Sequence, residues 1–399
     1  MPCVSIVVPA YDNADNIPAC LDSVGAQTYK DWEVVVVVDG SPDNSAEIVT
    51  QYCAKDSRVR LVNKPCNEGT HRARMSGVEA ARGDYLLFLD ADDELAPQGL
   101  QALVAIAQNE PSADVIHFGM EQLNAGVSPE MYAGFLASCN QQFPALTGLS
   151  IAESSFIFKD GPTQDWRVLQ RLYKASLVKK AFSLMTKERL GRGQDAYEWL
   201  VISSLASQET FHNELIAYRY FFGRGITNIS KMSSEKFGNL SQSYAHIINE
   251  ASDWARRSKF PEIDSCVRGL ANRLCELLFG DWQDRVPDDE KDEALSLAAS
   301  SIGGMAAAAE LMRLSRDDAY AHWDTGDSFD PDARYMRLFE LGERYADEQE
   351  PSERYTTFHD AAARHIADLK GRSQFEGRLG AVDRVRRYLR RRFGKVERD

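Results

Sequence analysis

The sequence predicts an α/β fold, an open sheet with right-handed crossover helices, followed by a mostly α-helical C-terminal region. Three observations predict it. Short apolar runs alternate with helically spaced apolar positions through the first 118 residues. One run carries five consecutive valines, Val34 to Val38, a β-branched stretch suited to a parallel strand covered on both faces. From about residue 231 onward strand-like runs give way to helical spacing.

The elements follow in order. Val4–Val8 is an apolar run ending at Pro9, and Ile17, Leu21 and Val24 then recur at helical spacing. Glu33–Val38 is the second strand, Ser45–Ala54 reads as helix, Val59–Val62 as extended chain and Gly69–Ala81 as helix. Tyr85–Leu89 is another buried strand, and Pro97–Gln108 a helix with proline near its start. Val115–Phe118 closes this series, which in strand–helix–strand order predicts the crossovers. Residues 119–160 have weak periodicity and predict loops and short elements; 161–228 are mixed and rich in aromatics. Ala294–Leu314 is alanine-rich and broken by Gly303-Gly304, which predicts helix–turn–helix, and Asp324–Asp332 an acidic loop. The expected divisions are 1–118, 119–230, 231–380 and 381–399.

At 399 residues the chain exceeds what one core usually organises, so about two or three units are expected. A net charge of −14 argues against nucleic acid as a partner, which needs a basic face. Seven cysteines, scattered and without a Cys-x-x-Cys pair, read as reduced thiols. The opening residues read as a strand rather than a leader, and no run of about 18 apolar residues occurs. The expectation is a cytoplasmic protein without a membrane span.

In open α/β sheets ligands sit beyond the carboxyl ends of the strands. Three expected strands end there in polar clusters: Pro9-Ala10-Tyr11-Asp12-Asn13, Asp39-Gly40-Ser41-Pro42-Asp43 and Asp90-Ala91-Asp92-Asp93. Carboxylates converging on one sheet edge repel unless a cation sits among them, and an all-oxygen site suits Mg²⁺ or Mn²⁺. Such a cation in turn holds diphosphate oxygens, which points to a nucleotide-diphosphate ligand. Each cluster alone is weak, since Asp-x-Asp is common by chance and Asp-Gly-Ser is an ordinary turn.

Their order and spacing carry more. Val4-Ser5-Ile6-Val7-Val8-Pro9-Ala10-Tyr11, Cys20-Leu21-Asp22-Ser23-Val24, Gln27-Thr28-Tyr29, Val38-Asp39-Gly40-Ser41-Pro42-Asp43, Asn67-Glu68-Gly69, Ala73-Arg74, Ala81-Arg82-Gly83-Asp84-Tyr85 and Phe88-Leu89-Asp90-Ala91-Asp92-Asp93 together resemble the donor half of glycosyltransferase family 2. The resemblance implies a GT-A-type nucleotide-sugar-binding sheet and a metal-dependent, inverting transfer from a nucleotide-sugar donor, UDP-linked, to a glycan or lipid-linked acceptor hydroxyl. It implies that Pro9 and Tyr11 flank the nucleoside, Asp39 reads the base, Arg74 lies near the nucleotide, Asp90 faces the ribose and donor sugar, and Asp92 binds the metal. The family's general base matches Asp195 in Gly193-Gln194-Asp195, upstream of Tyr197 and Trp199. Trp166 and Leu172-Tyr173-Lys174 match the stretch before that base, and Tyr218-Arg219-Tyr220 and Arg224 the strand and loop after it, with Arg224 able to reach the diphosphate. The chain departs from the pattern at Val38, Met75 and Gln194.

Three alternatives stay open at this point. Asp195-Ala196-Tyr197-Glu198 also fits a helix capping box, in which Asp195 is only a cap. His71 falls near the donor site, where a structural role is the commoner one. The three departures motivate a catalytically decayed nucleotide-sugar-binding scaffold. A sugar-1-phosphate nucleotidyltransferase would need a glycine-rich basic loop after the first strand, and Pro9-Ala10-Tyr11-Asp12-Asn13 has neither glycine nor base. At the C-terminus Arg384, Arg386, Arg387, Arg390, Arg391, Arg392 and Lys395 surround an apolar face of Val382, Val385, Leu389, Phe393 and Val396. Such a helix, 382–396, fits the inner leaflet of a membrane, the acidic body of the same protein or a solvated tail. Residues 231–380 carry no legible chemistry and read as a bundle for acceptor positioning or self-association.

Overall fold

The computed structural model describes residues 3–123, 134, 136–157, 162–221, 230–258, 260, 262–346 and 350–393, with the backbone alone for 374–393. It divides into two compact units, residues 1–230 with 243–274, and residues 231–242 with 275–399.

The first unit is built on a nine-stranded sheet. Its strands are β1 (Val4–Ala10), β2 (Trp32–Asp39), β3 (Val59–Lys64), β4 (Tyr85–Phe88), β5 (Glu94–Leu95), β6 (Val115–Leu123), β7 (Leu146–Thr147), β8 (Arg171–Lys174) and β9 (Gln208–Phe221). The order is β3-β2-β1-β4-β8-β6-β9-β5, with β7 pairing β9. The first four strands pair in parallel, as the alternating pattern requires. All eight residues of β2 are buried, which explains why its valine run shows no alternation. Helices α1 (Ile17–Gly25), α2 (Ser45–Lys55), α3 (Thr70–Ala80) and α4 (Gly99–Asn109) connect them.

The second half of this sheet differs from the sequence expectation. Val115–Phe118 does not follow β4 directly, because β8 inserts antiparallel between β4 and β6. At four residues β8 is too short to show a period, and its pairing joins positions far apart in sequence. Strand β6 also continues to Leu123, past the expected end. It pairs in parallel with β9, and the register shifts on either side of Gly119. Helices α5 (Ser150–Phe156), α6 (Ala175–Leu184) and α7 (Gln194–Leu205) complete this part.

Beyond residue 230 the described chain is helical: α8 (Ser234–Arg257), α9 (Ile263–Arg285), α10 (Lys291–Ile302), α11 (Gly304–Thr325), α12 (Arg334–Ala346) and α13 (Glu353–Phe393), with a short 3₁₀ turn at Asp288–Glu290. Gly303, at φ +93°, makes the break that the glycine pair predicts. In the second unit Ala308, Ala309 and Met312 of α11 pack with Tyr355 of α13, and Phe339 of α12 closes over them. Buried Glu310 is held by Arg313 at 2.7 Å and by Arg354, two cations that offset its desolvation. Among the described residues no helix is long and apolar enough to cross a membrane. The backbone of α13 runs helically to Phe393, but the basic and apolar side chains expected at 382–396 lie outside the described residues.

Candidate active site

Strands β2, β1 and β4 are parallel neighbours, so the loops after them open on one edge of the sheet. The first two loops are tied together. The Asp12 N–H donates to Ser41 Oγ at 2.8 Å, Ser41 Oγ donates to Asp43 Oδ1 at 2.6 Å, and the Ala14 N–H donates to Asp43 Oδ2 at 2.8 Å. Burial works against the Asp43 carboxylate, but these donors and Ser45 outweigh it and hold it down to about 2. Gly40 is obligatory: at φ +62°, a Cβ there would lie 2.3 Å from the Cys66 backbone.

Within this edge Pro9 is buried in β1 and Tyr11 is 46% exposed beyond it. Asp39, expected to read a base, is only 2% exposed. Its Oδ2 accepts from the N–H groups of Glu68 (3.0 Å) and Gly69 (2.7 Å), and its Oδ1 lies 2.9 Å from Lys64 Nζ. In this structure Asp39 pins the start of α3.

Asp90, Asp92 and Asp93 follow β4 with carboxylate oxygens all within 4.8 Å of one another. Asp93 is 1% exposed; its Oδ2 accepts from Tyr218 Oη at 2.7 Å and its Oδ1 from the Phe221 N–H at 2.8 Å. It thereby fastens the end of β9 to the acidic loop, and Asp90 and Asp92 are the more open pair. Removal from water pushes the Asp90 carboxyl up to about 6; Arg74 opposes this, and the charges of Asp92 and Asp195 add to it. Three hard oxygen donors this close fit Mg²⁺ or Mn²⁺ by donor chemistry.

Arg74 bonds to Asp90 of this cluster. It is 1% exposed. Its Nη2 donates to Asp90 Oδ1 at 3.1 Å; its Nη1 donates to Glu198 Oε2 at 2.8 Å and to Asp195 Oδ1. Two helices make this cluster. On α3, His71 and Arg74 are three residues apart, and on α7 so are Asp195 and Glu198, so each pair shares a face. The cap of α7 is Gly193, at φ +97° and without a side-chain cap bond. The capping-box arrangement of Asp195 and Glu198 is therefore not formed. A buried guanidinium needs carboxylates more than a solvated helix end does.

His71 is fully buried, with Nδ1 2.8 Å from Glu198 Oε1 and Nε2 3.1 Å from the Thr186 carbonyl oxygen. The rings of Phe182 and Tyr197 flank it. Burial disfavours the Glu198 charge, but Arg74 and then His71 outweigh it and hold this carboxyl below its ordinary range. Asp195 is the partly open member, its side chain 25% exposed. Arg224 lies within 222–229, outside the described residues. Sequence reasoning missed Glu198 as a partner of Arg74 and Asp93 as the anchor of β9. The matching spacing of two bases on one helix and two acids on another was the available signal for the first.

Residues 5–126 match the family model described as glycosyl transferase family 2. Among curated relatives, glycosyltransferase EpsJ of Bacillus subtilis is 31% identical over 192 residues, covering 47% of this chain and 52% of that protein. The poly(ribitol-phosphate) beta-glucosyltransferase of Bacillus spizizenii is 31% identical over 181 residues, 44% of this chain and 26% of that protein. The chain thus spans about half, or less, of the length of these relatives. Among solved structures, S. aureus TarS 1–349 in complex with UDP-GlcNAc is 20% identical with a TM-score of 0.56, covering 88% of this chain and 93% of that one. This likeness shows that the fold is of the GT-A type.

Proposed function

From the glycosyl transferase family 2 domain that this chain carries, we propose that it is a metal-dependent, inverting glycosyltransferase using a nucleotide-diphosphate sugar. The observation that carries this reading is the Arg74 bridge. One buried guanidinium holds Asp90 of the acidic strand end and Asp195 of the facing helix. On this reading a donor-side and an acceptor-side carboxylate share one guanidinium.

Asp92 and Asp90 would hold Mn²⁺ or Mg²⁺ against the donor diphosphate. A cation held there would supply Lewis-acid stabilisation of the departing diphosphate. Asp195 Oδ takes the proton of the acceptor hydroxyl as that oxygen attacks C1 from the face opposite the leaving group. One displacement without a covalent enzyme intermediate inverts the anomeric centre. Tyr11 flanks the nucleoside with its exposed ring, and the resemblance gives Arg224 a role in binding the diphosphate. Residues 1–118 handle the donor and 119–230 the acceptor. UDP is the favoured nucleotide, since the solved protein of like fold binds UDP-GlcNAc. The acceptor on this reading is a glycan or lipid-linked hydroxyl in surface polysaccharide synthesis; the Bacillus spizizenii relative is a poly(ribitol-phosphate) beta-glucosyltransferase. The basic segment 382–396 brings the enzyme to the inner face of the cytoplasmic membrane.

The test is nucleotide release across a panel of nucleotide sugars with Mn²⁺, comparing wild type with Asp92→Ala. Release of one nucleotide, reduced about 10²–10³-fold in the variant, supports the reading. No release and no nucleotide binding with any donor overturns it.

A further inference from the structure

We propose that His71 and Glu198 form a positioning pair for the transfer step, locking Arg74 from below so that its N–H groups hold Asp195 and Asp90 in register. This rests on the reading of Asp195 as the base. Charge balance does not call for Glu198, because Asp90 and Asp195 already give one guanidinium two carboxylates. Burying a third carboxylate carries a desolvation cost, so its presence needs another cause.

The geometry supplies one. Glu198 is 0% exposed with both oxygens engaged, Oε1 by His71 at 2.8 Å and Oε2 by Arg74 at 2.8 Å. His71 is fixed on its other side by the Thr186 carbonyl oxygen and lies between Phe182 and Tyr197. Arg74 Nε meets no hydrogen-bond partner among the described residues, so the guanidinium's orientation is set by the bonds of its two terminal nitrogens and by the Phe88 ring 5.7 Å away. Of the three tip carboxylates, Asp90 and Asp195 are partly open to solvent, and only Glu198 is fully enclosed. The rigid path therefore runs from the Thr186 backbone through His71 and Glu198 to Arg74, and from there to the two carboxylates at the reacting centre. A misplacement of about 1 Å at such a centre can lower a rate by about 10²-fold.

The test compares full-length wild type with Glu198→Gln, Glu198→Leu and His71→Phe, measuring kcat, donor KM and Mn²⁺-dependent nucleotide affinity. A glutamine keeps an oxygen for Arg74 and an amide for the His71 ring, so kcat stays within about threefold of wild type. Leucine offers Arg74 nothing, and kcat falls by about tenfold or more while donor KM and nucleotide affinity change less than about threefold. His71→Phe keeps a ring between Phe182 and Tyr197 and gives the same pattern, so the proposal stays testable where Glu198→Leu fails to fold. A folded Glu198→Leu or His71→Phe with wild-type kcat overturns the proposal. So does a parallel loss of kcat, nucleotide affinity and thermal stability in all three variants, which marks a purely structural pair. Wild-type turnover is read first and by itself, so a failure of the functional reading is distinguished from a failure of this one.

Discussion

Asp90 is the residue at which the competing forces of the site meet. Partial burial and the charges of Asp92 and Asp195 raise its carboxyl from 3.8 to about 6, while Arg74 pulls the other way. A native value above the unfolded one means the native state binds the proton more tightly. Stability from this group is then present at low pH and is lost as pH rises from the ordinary carboxylate range through about 6. A bound divalent cation reverses the sign, since it replaces the proton. The gain in Tm on adding saturating Mn²⁺ should be small below about pH 5, grow through pH 6 and level off above about pH 7. A gain independent of pH would contradict the assignment. At this scale the sequence was informative about which residues gather and less about which way they face. Asp39 ends β2 and Arg74 lies on α3, and both side chains are buried. A motif fixes chain position, whereas orientation depends on partners such as Lys64 and Glu198 that lie far along the sequence.

At the scale of elements, local periodicity made β1 to β4 and their helices legible, because buried parallel strands show as β-branched runs. Strand β8 was not legible as a sheet member: its stability comes from β4 and β6, not from its own four residues. The turn after β2 gives a prediction of this scale. Gly40→Ala places a Cβ against the Cys66 backbone at a positive φ, and should lower stability by about 1–3 kcal/mol or more in denaturant melts. An unchanged midpoint would contradict the close approach. The α3–α7 pairing gives another. Arg74→Lys keeps a charge but cannot serve Asp90, Asp195 and Glu198 at once, so kcat for transfer should fall by about tenfold or more. Steady-state kinetics with saturating donor check this, and wild-type kcat would deny the bridge its role.

For the whole molecule, the sequence predicts helix beyond residue 230, but it does not predict that residues 243–274, from within α8 to within α9, belong with the first unit. Long amphipathic helices carry the same periodicity on either side of such a division. If the basic segment is a membrane contact, deleting residues 381–399 should abolish co-sedimentation with anionic vesicles and leave nucleotide release in solution unchanged. Equal sedimentation of the truncated chain would refute that role. The proposed proton transfer from the acceptor to Asp195 beside a metal-held donor is tested by Asp195→Asn, with sugar transfer and Mn²⁺-dependent nucleotide affinity measured on the same preparation. The expected result is affinity close to wild type with transfer lowered by about 10²–10⁴-fold. Transfer at the wild-type rate would contradict it.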